Sequence, residues 1–300
     1  MLLTAAALGG FLLLLVTTAP RLLAAAAWPS RFPAGALLLW QAIGLVMGLL
    51  SIEVAATVAL APAGATHGDA LRSLPGAALP WWSYAALAVA AALLVRLFSV
   101  LVISSARTLR ARRRNRRLVD LVATRNPLLA SIRIVDHDVP VAYCLPGLRH
   151  RVVVSRGVLD LLREDEVRAV LAHEAAHVEQ RHDLVILPFV ALGATFPWLS
   201  GVRTAREQVA LLIEMLADDR AGRRHPRAVL ARALAKIGGA TVPDGALGAT
   251  SDGVLLRAQR LVGPELPLGA LGRLGVLGLT GSVLVVPVLG VLGPLSLAAG

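Results

Sequence analysis

The sequence has little cysteine and few aromatic residues, and each shortage excludes a class of protein. A single cysteine, Cys144, in 300 residues rules out an internal disulfide and gives no evidence for an oxidising compartment. Aromatic residues make up 4% of the chain and are not interleaved with its arginine-rich segment. Because a nucleic-acid binder needs stacking aromatics or a groove-reading element, no direct nucleic-acid partner is expected.

Lysine is also scarce, since Lys236 is the only one among 30 basic residues and the rest are arginine. The formal net charge is nevertheless +11, which suits either a nucleic acid or an anionic membrane face. Hydrophobic residues make up 56% of the chain and the mean hydropathy is +0.70, values typical of a membrane protein. The lipid bilayer is therefore the expected partner of the positive charge.

Four apolar stretches are long enough to cross a bilayer. They are Leu2–Ala19, Ala34–Leu60, Trp81 to about Ser105, and Leu274–Leu295. No Lys or Arg precedes the first stretch, so a transmembrane helix is favoured there, with a cleaved signal peptide as the alternative.

The orientation follows from the arginine-rich run between Arg107 and Arg117, directly after the third stretch. The positive-inside rule places this run in the cytoplasm and both chain ends outside the cell. Glu53 and Arg96 lie inside predicted spans, where two interpretations stay open. They form an ion pair between neighbouring helices, or each extends its charge to an interface.

One pentapeptide predicts a metal site. His173, Glu174 and His177 form the pattern H-E-x-x-H within a stretch that is free of Gly and Pro and rich in helix formers. Histidines four residues apart lie on one face of a helix, so both rings can bind one zinc ion. Glu174 is then predicted to be the general base that takes a proton from the attacking water.

A third ligand is predicted on a second helix. Glu214 is flanked by apolar residues and is followed four positions later by Asp218. Glu214 would complete a His-His-Glu zinc site with an open position for water. Asp218 would accept the free ring N–H of a ligand histidine and so fix its tautomer. Arg203, Arg206 and Arg220 are candidate donors to the oxyanion that forms during peptide hydrolysis.

H-E-x-x-H followed by E-x-x-x-D resembles the gluzincin membrane peptidases, which include the HtpX/CAAX-protease and BlaR/MecR types. The resemblance covers about 141–222. The segment before the zinc helix is similar to both types, whereas Phe196-Pro197-Trp198 before the glutamate helix is closer to the BlaR/MecR type. No extracellular penicillin-sensor domain is expected, since no further segment follows the last apolar stretch.

The resemblance implies a multi-pass α-helical membrane protein with a small α+β gluzincin zinc-peptidase domain between the third and last transmembrane helices. Residues 1–105 would hold three spans, 106–266 a cytoplasmic peptidase domain, and 267–300 the last span. Short strands are predicted at Ser131–Asp136, Pro140–Cys144 and Arg151–Ser155. In the family, an edge strand of this sheet borders the active-site cleft.

Residues 184–202 are apolar enough for a further span, but a full crossing would separate Glu214 from His173. Because both must reach the same ion, this stretch is predicted to dip into the membrane or to pack against the other spans without crossing. Pro188, Gly193 and Pro197 would supply the breaks that such a hairpin needs.

The predicted function is that of a zinc metalloendopeptidase in the cell membrane, with its active site on the cytoplasmic face. By resemblance to BlaR/MecR proteins, its substrate would be a protein such as a transcriptional repressor, in regulatory signalling. Two alternatives stay open. One is an HtpX-like protease that clears damaged membrane proteins, and the other is a zinc-binding membrane regulator that does not cleave.

Overall fold

The computed structural model of the chain describes residues 1–76, 78–122, 124–125, 132–145, 151–241, 249–264 and 266–296. These residues form two compact units. The first unit contains Met1–Ser104, Leu187–Val209 and Leu268–Gly300, and the second contains Ser105–Ile186 and Ala210–Pro267. The described part is mostly helical.

Twelve α-helices and four strands occur among the described residues. The helices are α1 Leu2–Ala25, α2 Pro33–Leu60, α3 His67–Ser73, α4 Trp81–Val122, α5 Arg156–Leu161, α6 Glu164–Glu179, α7 His182–Val185, α8 Leu187–Thr195, α9 Ser200–Gly222, α10 Arg227–Thr241, α11 Ala249–Val262 and α12 Ala270–Ser296. The strands are β1 Thr124–Arg125, β2 Ile132–Val135, β3 Ala142–Leu145 and β4 Arg151–Ser155.

Four helices of the first unit are long and apolar enough to cross a membrane, namely α1, α2, the Trp81–Ala111 part of α4, and the Ala270–Val291 part of α12. Two boundaries differ from the prediction. Helix α1 continues through Pro20 to Ala25, where a turn was expected. Helix α4 does not end near Ser105, since one helix of 42 residues carries the third span and the arginine run. Arginine is a good helix former, so a polar run of arginines can extend an apolar helix.

The apolar stretch 184–202 contains the short helix α8 and a turn, not one long helix. Nine residues rise about 13 Å, which is far less than the hydrocarbon thickness of a bilayer. Phe189 of α8 is 1% exposed, and its ring atom Cε1 would lie 3.3 Å from a Cβ built on Gly44 of α2. Helix α8 therefore packs on the second span. Its depth in the membrane stays a prediction.

Glu53 and Arg96 do not form the ion pair considered above. Arg96 on α4 donates a hydrogen bond from Nη2 to the carbonyl oxygen of Ala194 at the end of α8, at 2.8 Å. Glu53 on α2 instead lies against α12, where a Cβ on Gly290 would collide with its carboxylate. The arginine satisfies a helix-terminal carbonyl, which is the ordinary use of a cation at the C-terminus of a helix.

The second unit contains a four-stranded sheet in the order β1-β2-β4-β3. Strands β2 and β4 are parallel, while β1 pairs with β2 and β3 pairs with β4 in the antiparallel sense. Three of the strands overlap the segments predicted from β-branched residues, and β3 forms one edge of the sheet. The side chain of Cys144 in β3 lies outside the described part of the chain, so its expected structural role stays a prediction.

Helix α6 is held at both ends. Its first turn is closed by Glu166, whose Oε2 accepts the backbone N–H of Arg163 at 2.9 Å and the Lys236 ammonium of α10 at 2.7 Å. At the last residue of the helix, Glu179 pairs with Arg220 of α9 and with Arg224 in the turn that follows α9. The hydrogen bonds at the first turn fix where the helix begins. The ion pairs near the last turn hold the other end of the helix in place.

The core of the second unit brings α6, α9, α10 and α11 together through small residues. Ala169 of α6, Ala221 of α9 and Ala233 of α10 are each fully buried. Alanine lets helix backbones approach closely, so polar side chains on neighbouring helices can meet. Helix α11 forms although its sequence contains Gly253 and is preceded by several glycines, residues that weaken a helical pattern.

Candidate metal centre

Two histidine rings of α6 point at one place. The Nε2 atoms of His173 and His177 lie 3.1 Å apart, as expected for residues one helical turn apart with both rings turned to the same side. His173 is 4% exposed, and the side chain of His177 is 23% exposed. One ring is thus sheltered in the core of the second unit, while the other borders solvent.

Glu214 of α9 approaches both rings. Its Oε2 lies 3.3 Å from His173 Nε2, and its Oε1 lies 3.5 Å from His177 Nε2. The three donor atoms all lie within 4.8 Å of one another. Two imidazole nitrogens and one carboxylate oxygen are a donor set that zinc accepts, so this His-His-Glu group could hold a metal ion.

Asp218, one turn after Glu214, supports His173 from behind. Its Oδ1 lies 3.0 Å from His173 Nδ1, the ring nitrogen that faces away from the cluster, and the carboxylate is fully buried. Contact with Asp218 holds a proton on His173 Nδ1, so Nε2 is the nitrogen that would bind a metal ion. The structure thus brings together His173, His177, Glu214 and Asp218, the four residues that the motif spacing selects.

Arg257 of α11 completes this buried group, although the sequence analysis did not select it. Its Nε and Nη2 donate to the two oxygens of Asp218, each at 2.8 Å, and its Nη1 lies 2.9 Å from Glu214 Oε2. A planar guanidinium is suited to such two-point binding of a carboxylate. One residue therefore orients both carboxylates that contact His173.

His182 supports the second histidine. Its Nδ1 lies 2.9 Å from His177 Nδ1, and the residue is 5% exposed. Burial, followed by the nearby His177 ring, lowers the pKa of His182 to about 4, so His182 is neutral. A neutral His182 accepts a hydrogen bond from His177 Nδ1–H, which leaves His177 Nε2 available to the cluster.

The charges around His173 favour a cation in this cluster. Burial alone would lower the pKa of His173, but Asp218 and Glu214 raise it to about 9. Burial would likewise raise the pKa of Asp218, yet the hydrogen bonds from Arg257 and His173 lower it to about 2. Both carboxylates therefore keep their negative charge, and the space between the ring nitrogens and Glu214 attracts positive charge, which is the electrostatic condition for metal binding.

Glu174 lies at the wall of a cavity next to these donors. The cavity has a volume of about 260 Å³ and is lined by His173, Glu174, Glu214 and Arg257 on its polar side. Val141 and Ala142, at the start of edge strand β3, also line it. An extended chain beside β3 would therefore pass the position where Glu174 and the metal ligands meet.

None of the three arginines considered as oxyanion donors is among the residues that line this cavity. Arg203 and Arg206 are exposed on the part of α9 that belongs to the first unit. Arg220 pairs with Glu179 through Nε and Nη2, at 3.2 and 3.1 Å. Their role as donors stays a prediction, and the arginine that lines the cavity is Arg257.

A sequence signal for Arg257 exists in retrospect. In α11, Val254 and Leu261 lie three and four residues on either side of it, so Arg257 shares the apolar face of the helix. An arginine on a buried face needs a buried carboxylate. Asp218, in the middle of the apolar glutamate helix, is its complement. The pairing cannot be predicted from spacing alone, since 39 residues separate the two.

A helix with two histidines and a glutamate, a carboxylate ligand from a second helix and a bordering edge strand together define a class of protein, the metal-dependent peptidases. Residues 105–221 match the model of Peptidase family M48, and the matched range contains His173, Glu174, His177, Glu214 and Asp218. Peptidases of this family depend on a metal ion.

A shorter match agrees with that class. The chain is 47% identical over 64 residues to a protease HtpX homologue of Aeropyrum pernix. The aligned segment covers 19% of this chain and 20% of the relative, so the chain spans about a fifth of the length of the curated relative. No solved structure gives a significant match. Over part of its length the chain is therefore similar to a peptidase family and to a protease HtpX homologue, and it also has four helices long and apolar enough to cross a membrane.

Proposed function

We propose that this chain is a zinc-dependent endopeptidase of the cell membrane that hydrolyses peptide bonds on the cytoplasmic face. The observation that carries the proposal is the convergence of His173, His177 and Glu214, whose donor atoms lie within 4.8 Å of one another beside Glu174. The M48 match over 105–221 supports the same assignment.

Zinc is the metal that this donor set suits best, because two imidazole nitrogens and one carboxylate leave an open position in a tetrahedral site. When bound, the ion would polarise the scissile carbonyl and lower the pKa of the attacking water. His173 and His177 would hold it through Nε2, and Glu214 through its carboxylate oxygens.

The remaining chemistry belongs to the chain itself. Glu174, adjacent to His173 on α6, accepts the proton of the attacking water on its carboxylate. It then delivers that proton to the nitrogen of the leaving amine as the C–N bond breaks. Asp218 and Arg257 hold His173 and Glu214 in place, so the reacting groups do not have to reorganise during the reaction.

Strand β3 would bind the substrate backbone. It is an edge strand whose outer side has no neighbour in the described sheet, and its first residue lines the cavity. An extended peptide can add to such an edge through main-chain hydrogen bonds, which require little of the peptide sequence. This mode suits a protease with protein substrates and places the peptide bond beside Glu174.

The location rests on the arginine run of α4. Arg107 and Arg110 lie at the end of the third candidate span, Arg113 and Arg114 follow it directly, and all four side chains are exposed. The positive-inside rule places such residues in the cytoplasm, so the substrate would be a cytoplasmic or membrane-proximal protein.

Two more specific roles remain as proposals. The 47% identity to a protease HtpX homologue favours an HtpX-like protease that acts on membrane proteins. Cleavage of a transcriptional repressor in regulatory signalling would follow from the BlaR/MecR resemblance around Phe196-Pro197-Trp198. A regulator that binds zinc without cleaving is the third alternative, and it is disfavoured because Glu174 is present at the cavity wall.

The test compares membranes that contain the wild-type chain with membranes that contain Glu174→Gln, using mass spectrometry of the peptides released. Peptides released by the wild type and absent from Glu174→Gln support the proposal, since this change removes the base but no ligand. Glu164→Gln is the matched control, because Glu164 lies on the same helix with its side chain 84% exposed. Equal peptide release by all three chains would contradict a protease.

A further inference from the structure

The cavity beside the metal ligands has a second, apolar wall that the catalytic chemistry does not require. Leu234 and Ile237 of α10 and Val170 of α6 form this wall, and Glu174 and Glu214 line the same cavity. All three are aliphatic, and Val170 is 4% exposed. An apolar wall at this position must face some part of a peptide bound beside β3.

The position of α10 is fixed by the core. Leu230 and Ala233 of α10 are fully buried, and Lys236 is bonded to the buried Glu166 of α6. Leu234 and Ile237 are only partly buried, and they follow one another at i and i+3 on one side of the helix. The wall is therefore rigid, and its side chains are available to a ligand.

The volume of the cavity matches one side chain. An apolar cavity of about 150 Å³ is enough to hold a benzene ring. A cavity of about 260 Å³ that also contains the metal donors therefore admits one side chain up to the size of a phenyl group.

The charges at the cavity disfavour an acidic side chain, because Glu174 and Glu214 line it. Arg257 is the cation among the described lining residues, and its guanidinium already binds Asp218 at two points and Glu214 at a third. An acidic side chain would find no donor turned toward it. A charged side chain of either sign would lose its hydration against Val170, Leu234 and Ile237, which is costly.

We propose that Leu234 and Ile237 select the substrate residue next to the scissile bond, so that the enzyme cleaves beside Leu, Ile, Met or Phe and discriminates against Asp, Glu, Lys and Arg. This inference rests on the proposed protease function. It concerns which substrate side chains the site accepts. Neither the sequence of α10 nor the metal-binding motif indicates this property. Backbone pairing with β3 binds the peptide, and contacts with Leu234 and Ile237 determine which of its peptide bonds is cleaved.

The first experiment profiles cleavage sites in a proteome-derived peptide library with the purified full-length chain in detergent. The wild type is expected to enrich Leu, Ile, Met and Phe on one side of the cleaved bond. Leu234→Phe and Ile237→Phe reduce the cavity and should shift that preference toward Ala, Ser and Gly, lowering cleavage beside Phe by about tenfold or more. Ala235→Phe is the control, because it adds the same ring to an exposed position of α10.

The second experiment measures binding without cleavage. A labelled peptide with the preferred residue is titrated into Glu174→Gln, with and without Leu234→Phe, and its dissociation constant is measured by fluorescence anisotropy. Binding should weaken about tenfold with Leu234→Phe and stay unchanged with Ala235→Phe. This readout separates recognition by α10 from any loss of catalytic power.

The outcomes distinguish the role of α10 in substrate selection from the protease function on which that role rests. If the wild type cleaves no peptide that Glu174→Gln leaves intact, the protease function itself is wrong. If the wild type cleaves but Leu234→Phe, Ile237→Phe and Ala235→Phe share its profile, the function stands and the role of α10 is wrong. An equal loss on all peptides with Leu234→Phe would also overturn the inference, since it indicates a general structural effect.

Discussion

At the scale of single residues, the most informative pair is Asp218 and Asp219. They are neighbours on α9 with opposite surroundings. Asp218 is fully buried and contacts His173, whereas Asp219 binds Arg260 at 2.7 and 2.8 Å and is partly exposed. One carboxylate contacts a candidate metal ligand, and the other joins α9 to α11.

Asp218→Asn should weaken zinc binding about 10- to 100-fold, because His173 loses the negatively charged acceptor that fixes its tautomer. Asp219→Asn should leave zinc affinity close to that of the wild type. Competition with a chromophoric chelator measures both affinities on the purified chain. Equal zinc affinity in the two variants would remove Asp218 from the metal site.

Arg257 is expected to matter for stability as well as for geometry. Arg257→Ala leaves the fully buried Asp218 without its cation, a change that typically costs about 3–5 kcal/mol. Arg257→Lys should recover only part of this loss, since an ammonium cannot bind both oxygens of the carboxylate in the same way.

Thermal unfolding of the purified chain checks this expectation, with Arg260→Ala as the matched control on the same helix. Arg260 binds the partly exposed Asp219, so its loss should cost less. The account of the buried group is wrong if Arg257→Ala and Arg260→Ala unfold at the same temperature.

At the scale of elements, α6 is held at its first turn by Glu166. Burial alone would raise the pKa of Glu166, but the hydrogen bonds from Lys236 and from the backbone of Arg163 lower it. The folded state therefore favours the ionised form. The stability that Glu166 contributes is present above its ordinary pKa of about 4.5 and is lost as the pH falls through the lowered value.

Glu166→Gln should accordingly destabilise the chain by about 1–3 kcal/mol at pH 7, because a charge-assisted bond to Lys236 is lost. The difference from the wild type should shrink as the pH is lowered below 4.5. Unfolding temperatures measured from pH 7 down to acid conditions test both statements. A difference that grows toward acid pH would reverse the assigned sign.

Much of this second unit could be predicted because its elements are local. The pattern H-E-x-x-H sets two rings on one side of α6, and Glu214 with Asp218 repeats that spacing on α9. β-Branched residues indicated β2, β3 and β4. What the sequence did not reveal depends on distant pairing. Arg257 binds Asp218 although the two residues are 39 positions apart in the sequence, and α10 lines the cavity through tertiary packing, which the periodicity of the sequence does not indicate.

Element boundaries were less predictable than element types. Pro20 did not end α1, and α4 continued well past Ser105. In both places the flanking residues are good helix formers, so helix propensity extended the helix beyond the apolar segment. Hydropathy marks where lipid could cover a helix and does not mark where the helix ends.

At the scale of the whole molecule, the prediction concerns orientation. Arg112 lies on α4 just after the third candidate span, and the run around it is predicted to be cytoplasmic. In a Cys144→Ser background, Arg112→Cys should resist an impermeant thiol reagent applied to intact cells and react after the cells are opened. A cysteine added after Gly300 should react from outside. Labelling of Arg112→Cys in intact cells would place the proposed active site on the other face.

The central claim is that His173, His177 and Glu214 hold a zinc ion on which the activity depends. The most direct measurement is the zinc content of the purified full-length chain and its variants by mass spectrometry of the metal. The wild type and Glu174→Gln should each contain about one zinc per chain, because Glu174 is a base and not a ligand. His177→Ala and Glu214→Gln should lose most of it. Unchanged zinc in Glu214→Gln would move the third ligand elsewhere, and unchanged zinc in His177→Ala would contradict the site altogether.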